Sequence, residues 1–166
     1  MKQIDYPKMY TAVGKRRWLA ELLSALDILA VVFTIGSYIG HLVYTFLGGG
    51  LYELIKLVAL SALPFIAVSV VRAIIKAPRP EELYPIEEYG LSSPGKKGGS
   101  FPSRHVFSSM LIGTLLLGDI VWLGAIVLAL GVTLAVSRVL SGHHFIRDTV
   151  AGALIGVAAG AIGLLF

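Results

Sequence analysis

The sequence predicts an all-α fold, a polytopic transmembrane helix bundle of about five spanning helices with one long polar loop between the second and third spans. Three observations predict it. Hydrophobic residues make up 56% of the 166 residues and charged ones only 14%, and the mean hydropathy is +0.82, far too apolar for a soluble domain of this size. The apolar residues fall into five stretches, 18–47, 51–71, 105–118, 120–140 and 145–166. Between them lies a single long polar connection, KAPRPEELYPIEEYGLSSPGKKGGSFPSR. A spanning helix needs roughly 20 apolar residues, so this length holds five spans and short connections. Residues 1–166 are therefore expected to form one membrane-embedded domain, with a basic tail over 1–17.

The elements follow in order. The N-terminal MKQIDYPKMYTAVGKRRW has no short apolar core followed by a small-residue cleavage site, so the first span is expected to be retained. The first stretch, at about 1.5 Å per residue, gives roughly 45 Å of helix, which predicts one tilted or over-long span. Gly48, Gly49 and Gly50 predict a tight break into the second. The third stretch is only about 21 Å long, so its first turn is expected to begin below the membrane surface and to recess what His105 contacts. Gly118 and Asp119 separate it from the fourth. Frequent Gly and Ala in the last two helices would let backbones approach closely. The long loop is expected to be functional, since structureless loops of this length are uncommon in compact chains. With no cysteine, disulfides and thiolate metal sites are excluded.

Five spans place the N-terminal tail, the 72–104 loop and the 138–148 connection on one membrane face. Thirteen of the fourteen Lys and Arg residues then share that face, with only Lys56 near the other. Lys15, Arg16 and Arg17 favour a cytoplasmic N-terminus in a cell membrane, because basic flanks stay inside. Ionisable residues beside spans are functional candidates by default, and here they cluster in Arg72 to Pro80, Pro102 to His105 and Ser137 to Asp148. Several arginines with two histidines suit an oxyanion with several charged oxygens, and guanidinium forks match phosphate. Ser103 can cap the third helix and aim N–H groups at an anion. His144 and Asp148, four apart at the start of the last helix, are expected to share a face and hydrogen bond, fixing the imidazole tautomer.

These clusters read RAIIKAPRP, PSRH and SRVLSGHHFIRD. They resemble, in order and spacing, the K-x6-R-P, P-S-G-H and S-R-x5-H-x3-D motifs of the type 2 phosphatidic acid phosphatase superfamily, which is related to vanadium-dependent haloperoxidases. Two positions depart from the pattern: Arg72 stands where Lys is usual and Arg104 where Gly is usual. The resemblance implies a membrane phosphatase acting on a phosphomonoester or diphosphate of a lipid, of the phosphatidate, phosphatidylglycerophosphate or polyprenyl type. His144 would attack phosphorus, Asp148 would orient it and His105 would protonate the leaving oxygen. Arg72, Arg79, Ser103 and Arg138 would bind the phosphate. No metal or other cofactor and no nucleic-acid partner is implied; the partners are the lipid phosphate and the bilayer. A phosphotransferase using the same phosphohistidine and a non-catalytic lipid-phosphate binder or transporter are the alternatives.

Outside the motifs, Asp27 is expected to lie at the depth of Arg72 in the first hairpin and to pair with or position it. Arg104 can support headgroup binding. Arg147, Lys76, Lys96 and Lys97 are expected to be solvated or interfacial, His143 to have a supporting or interfacial role, and His41 to be a polar residue near the far end of the first hairpin.

Overall fold

In the computed structural model, which describes residues 5–91 and 97–166, the chain is all-α. It forms α1 (Tyr6–Gly14), α2 (Arg17–Ile75), α3 (Pro80–Leu83), α4 (Arg104–Asp119), α5 (Val121–Leu140) and α6 (Ile146–Gly163). Helix α2 is a hairpin of two arms. Gly50, at φ 72° and ψ −162°, is its non-helical point, a conformation open to glycine because it lacks a Cβ. Gly48 and Gly49 stay helical, so the predicted three-residue break is one residue wide. Across the hairpin the Tyr38 and Ser61 hydroxyls bond at 2.5 Å. The first arm is the single over-long helix the sequence predicts.

Among the described residues, three segments are long and apolar enough to cross a membrane: Arg17–Leu83, which contains both arms of α2, then α5 and α6. Helix α4 has 16 residues, about 24 Å at the usual rise. Its burial explains how so short a helix fits. Residues from Val106 to Leu116 are nearly all buried, because α2, α5 and α6 surround it. The lipid-facing surface is carried by the outer helices, with Trp18 and Trp122 exposed at opposite ends of the bundle, where indole rings favour the interface.

The close approach of α6 to α4 depends on small residues. A Cβ on Gly156 would lie 2.5 Å from the Phe107 carbonyl oxygen, and one on Gly152 would lie 2.6 Å from that of Ser103. The second contact sets the distance between the PSRH turn and the start of α6.

Within the tail expected over 1–17, Tyr6–Gly14 form α1. Asp5 caps it by accepting the Lys8 N–H at 3.1 Å, and Pro7 sits in the first turn, where its missing N–H costs nothing. Tyr6, Met9, Tyr10 and Val13 then fall on one face at helical spacing and pack on Tyr84, Ile86, Leu91 and Leu140. Tyr6 also meets Phe145 edge-on at 5.2 Å. The tail thus lies on the same membrane face as the motif loops. On the opposite face, the buried His41 bonds Asp119 through Nε2 at 2.7 Å.

Candidate active site

His144 does not open the last helix, as its spacing from Asp148 suggests; it sits in the turn before it, and Phe145 is the N-cap of α6. Asp148 is then the third residue of the helix, where its Oδ2 accepts the Phe145 N–H at 3.0 Å. The two side chains still face each other, but His144 Nδ1 and Asp148 Oδ2 are 3.8 Å apart, too far for a hydrogen bond.

Ser100 fills the gap. Its hydroxyl donates to Asp148 Oδ2 at 2.5 Å and lies 3.3 Å from His144 Nδ1. Because its one proton is spent on the carboxylate, Ser100 Oγ can only accept from Nδ1–H. The tautomer follows: Nδ1 carries the proton and Nε2 the lone pair. Burial pushes the His144 imidazole below its ordinary value, opposed by Asp148 and reinforced by Arg79 and Arg138. The ring is therefore neutral at pH 7.

Ser100 lies outside every motif, in the loop, where no spacing or helix end marks it. Its backbone N–H bonds the Ala77 carbonyl at 2.9 Å, which fixes the loop's return against the end of α2. Replacing Ser100 with alanine is expected to lower kcat about tenfold with little change in KM, the usual worth of one orienting hydrogen bond near a reacting group. Steady-state kinetics on a lipid phosphate would check this.

Each arginine is positioned differently. Arg72 is buried and donates through Nη1 to the carbonyl oxygens of Ser100, at 3.3 Å, and Pro102. Arg79 donates from Nε to the Gly98 carbonyl at 3.2 Å, while its own N–H is held by Glu82 at 2.7 Å. Burial depresses Arg79 from its ordinary value; Glu81 opposes this and Arg138 adds to it. Arg138 is clamped by Asp27 through Nε and Nη2, both at 2.7 Å.

This corrects the expected pairing of Asp27 with Arg72. Asp27 faces α5, not the second arm, and Arg72 turns toward backbone carbonyls of the loop.

Ser103 is the N-cap residue of α4, yet its side chain makes no capping bond. Its N–H is used by the Asp148 carbonyl at 2.9 Å, and its Oγ is buried with no partner among the described residues. An orphaned hydroxyl of this kind fits an anion's oxygen. His105 is exposed on the first turn of α4 and opens onto a cleft of about 370 Å³ walled by Val31, Thr34, Ile35, Phe65 and Ile112. Arg104 stacks over Phe65, 6.0 Å from the ring centre.

Among the residues kept outside the site, Arg147 Nε lies 3.5 Å from Asp148 Oδ1 and its side chain is largely exposed. His143 is pushed down to about 4 by burial, with Arg138 contributing, and its Nδ1 is buried without a partner among the described residues. Lys96 falls outside the described residues.

Fold and site together define a helix bundle with membrane-crossing segments that gathers the buried His144 and Asp148 near Arg79 and Arg138. The family model of the PAP2 superfamily matches residues 37–166, and the chain belongs to that superfamily. Its fold is similar to the crystal structure of Aquifex aeolicus LpxE, with a TM-score of 0.73 at 23% identity, covering 99% of this chain and 98% of that one. It is also similar to the first transmembrane PAP2 type phosphatidylglycerolphosphate phosphatase from Bacillus subtilis, with a TM-score of 0.60 at 17% identity, covering 98% and 86%. No curated protein sequence matches the chain.

Proposed function

We propose that this protein is a membrane lipid phosphatase that hydrolyses a phosphomonoester or diphosphate of a lipid through a phosphohistidine on His144. The observation that carries the reading is the relay from Asp148 through Ser100 to His144 Nδ1, which leaves Nε2 as a lone pair within electrostatic range of Arg79 and Arg138. Nε2 attacks phosphorus and the bond from phosphorus to the lipid oxygen breaks. His105, protonated, gives its proton to that oxygen. Water then attacks the phosphohistidine, His105 takes the water's proton, and phosphate leaves as His144 returns to its starting form. Arg72, Arg79, Arg138 and the Ser103 hydroxyl hold the non-bridging oxygens, where fixed positive charge favours the transition state over the ground state. None of these steps uses a metal.

The lipid character of the substrate rests on the cleft beside His105. Its apolar walls come from both arms of α2 and from α4, so a leaving group at His105 can keep its tail in the membrane. The Bacillus subtilis neighbour is a phosphatidylglycerolphosphate phosphatase, and that headgroup is one candidate here. The test is phosphate release from a panel of lipid phosphates by purified protein in neutral detergent. Release from none, or equal release by His144→Ala, would overturn the reading.

Lys15, Arg16 and Arg17 favour a cytoplasmic location for the site in a cell membrane. In this cysteine-free chain, a Glu87→Cys variant is expected to react with an impermeant maleimide in inverted vesicles and not in intact cells. The reverse pattern would place the site outside.

A further inference from the structure

Arg104 stands between two cavities of opposite character. On one side is the apolar cleft at His105. On the other is a pouch of about 570 Å³ walled by Ser69, Arg72, Lys76, Lys97, Gly99 and Arg104. Among the described residues, four cations line it and no carboxylate does. Among the described residues, Lys76, Lys97 and Arg104 form no ion pair. The nearby Glu82 is turned instead to the backbone N–H groups of Arg79 and Gly98, each at 2.7 Å.

Lys76 adds an independent observation. It ends α2 in the left-handed conformation, at φ 47°, with its N–H on the Arg72 carbonyl at 3.1 Å. Helices commonly end this way on glycine, which adopts the conformation without strain. The chain instead carries a lysine there, and strained backbone held in place beside a reacting centre points to a use for the side chain.

We propose that the pouch binds a second phosphoryl group of the substrate, so that the preferred lipid carries two phosphate groups close together in its headgroup. The proposal deepens the phosphatase reading above and rests on it for the first phosphate. The occupant is assigned to the substrate because pouch and site share Arg72: a Cβ on Gly99 would lie 3.5 Å from Arg72 Nη2, so an anion in the pouch meets the same guanidinium that faces the loop carbonyls of the site. Both positions at which the chain departs from the motif pattern, Arg72 and Arg104, line the pouch.

The experiment measures binding, not turnover. Purified protein in neutral detergent is titrated with orthophosphate and with methylenediphosphonate, which cannot be hydrolysed. Wild type is expected to bind the diphosphonate about tenfold more tightly, the scale of a few partly exposed charge contacts. Lys76→Gly, which relieves the backbone strain and so should fold, is expected to remove most of that preference, and Lys76→Gly with Lys97→Ala nearly all of it. Equal affinity in wild type, or a preference that survives in the double variant, would overturn the proposal. Micelles doped with phosphatidylglycerol separate the second source of phosphate, a neighbouring lipid. A preference unchanged there supports the substrate, and one abolished there assigns the pouch to neighbouring headgroups and overturns the proposal. A protein that prefers the diphosphonate yet releases phosphate from no lipid would sink the catalytic reading and leave this one standing.

Discussion

His144→Ala is expected to reduce phosphate release from a lipid phosphate by about four orders of magnitude or more, the scale seen when a covalent nucleophile is removed. The geometry argues for a nucleophile and not a base that activates water. Its Nδ1 faces the Ser100 and Asp148 relay, and as Nε2 bonds to phosphorus the positive charge that builds on the ring is met by Asp148, fully buried at the end of that relay. A brief reaction with a phosphorus-labelled lipid should leave an acid-labile label on wild type and none on His144→Ala. Label on the variant would move the covalent step elsewhere; no label on either, with turnover intact in wild type, would leave His144 as a base. The pH profile adds an independent check. Because burial holds the imidazole below its ordinary 6.5, the neutral ring persists to lower pH, and kcat/KM is expected to fall only as the pH drops below 6.5. An acid limb centred above that value would contradict the burial of the ring.

What the sequence revealed was set by local rules, and what it hid was set by packing. The five apolar stretches locate both arms of α2, then α4, α5 and α6, because bilayer thickness fixes how long each run must be. Motif spacing picks out Arg79, Ser103, His144 and Asp148 because each lies within a few residues of a helix end. Ser100 gives no such signal. It is one serine in a polar loop, and it reaches the Asp148 carboxylate only because the loop returns against Ala77. Helix α1 was hidden in a tail that reads as basic, since the face formed by Tyr6, Met9, Tyr10 and Val13 is short and its partners, Tyr84 and Ile86, lie far along the chain. The partner of Asp27 was misread for a related reason. Helical rise gives the depth of a residue, but direction around the helix depends on which neighbour packs there, and the first arm of α2 presents Asp27 to α5.

That correction carries the second large effect. Asp27→Asn is expected to lower kcat/KM about 100-fold, or about 2.7 kcal/mol, and to cost about 2 to 3 kcal/mol of stability, at or just below the low end for breaking a fully buried pair because this one is partly exposed. The side chains of Asp27 and Arg138 are only 19% and 13% exposed, so little water is present to replace the lost charge. Arg138 also anchors the turn that carries His144 through its backbone: its carbonyl accepts the N–H groups of His143 at 3.0 Å and His144 at 3.2 Å. An asparagine at 27 keeps the shape but can satisfy only part of the fork, leaving the guanidinium free to turn away from the phosphate it is proposed to hold. A double-mutant cycle identifies the partner directly. Coupling between Asp27→Asn and Arg138→Lys should exceed about 1 kcal/mol, as expected for groups in contact, whereas Asp27→Asn and Arg72→Lys should add within about 0.5 kcal/mol. Strong coupling to Arg72 with none to Arg138 would restore the hairpin pairing and remove Asp27 from the support of the 138–148 turn.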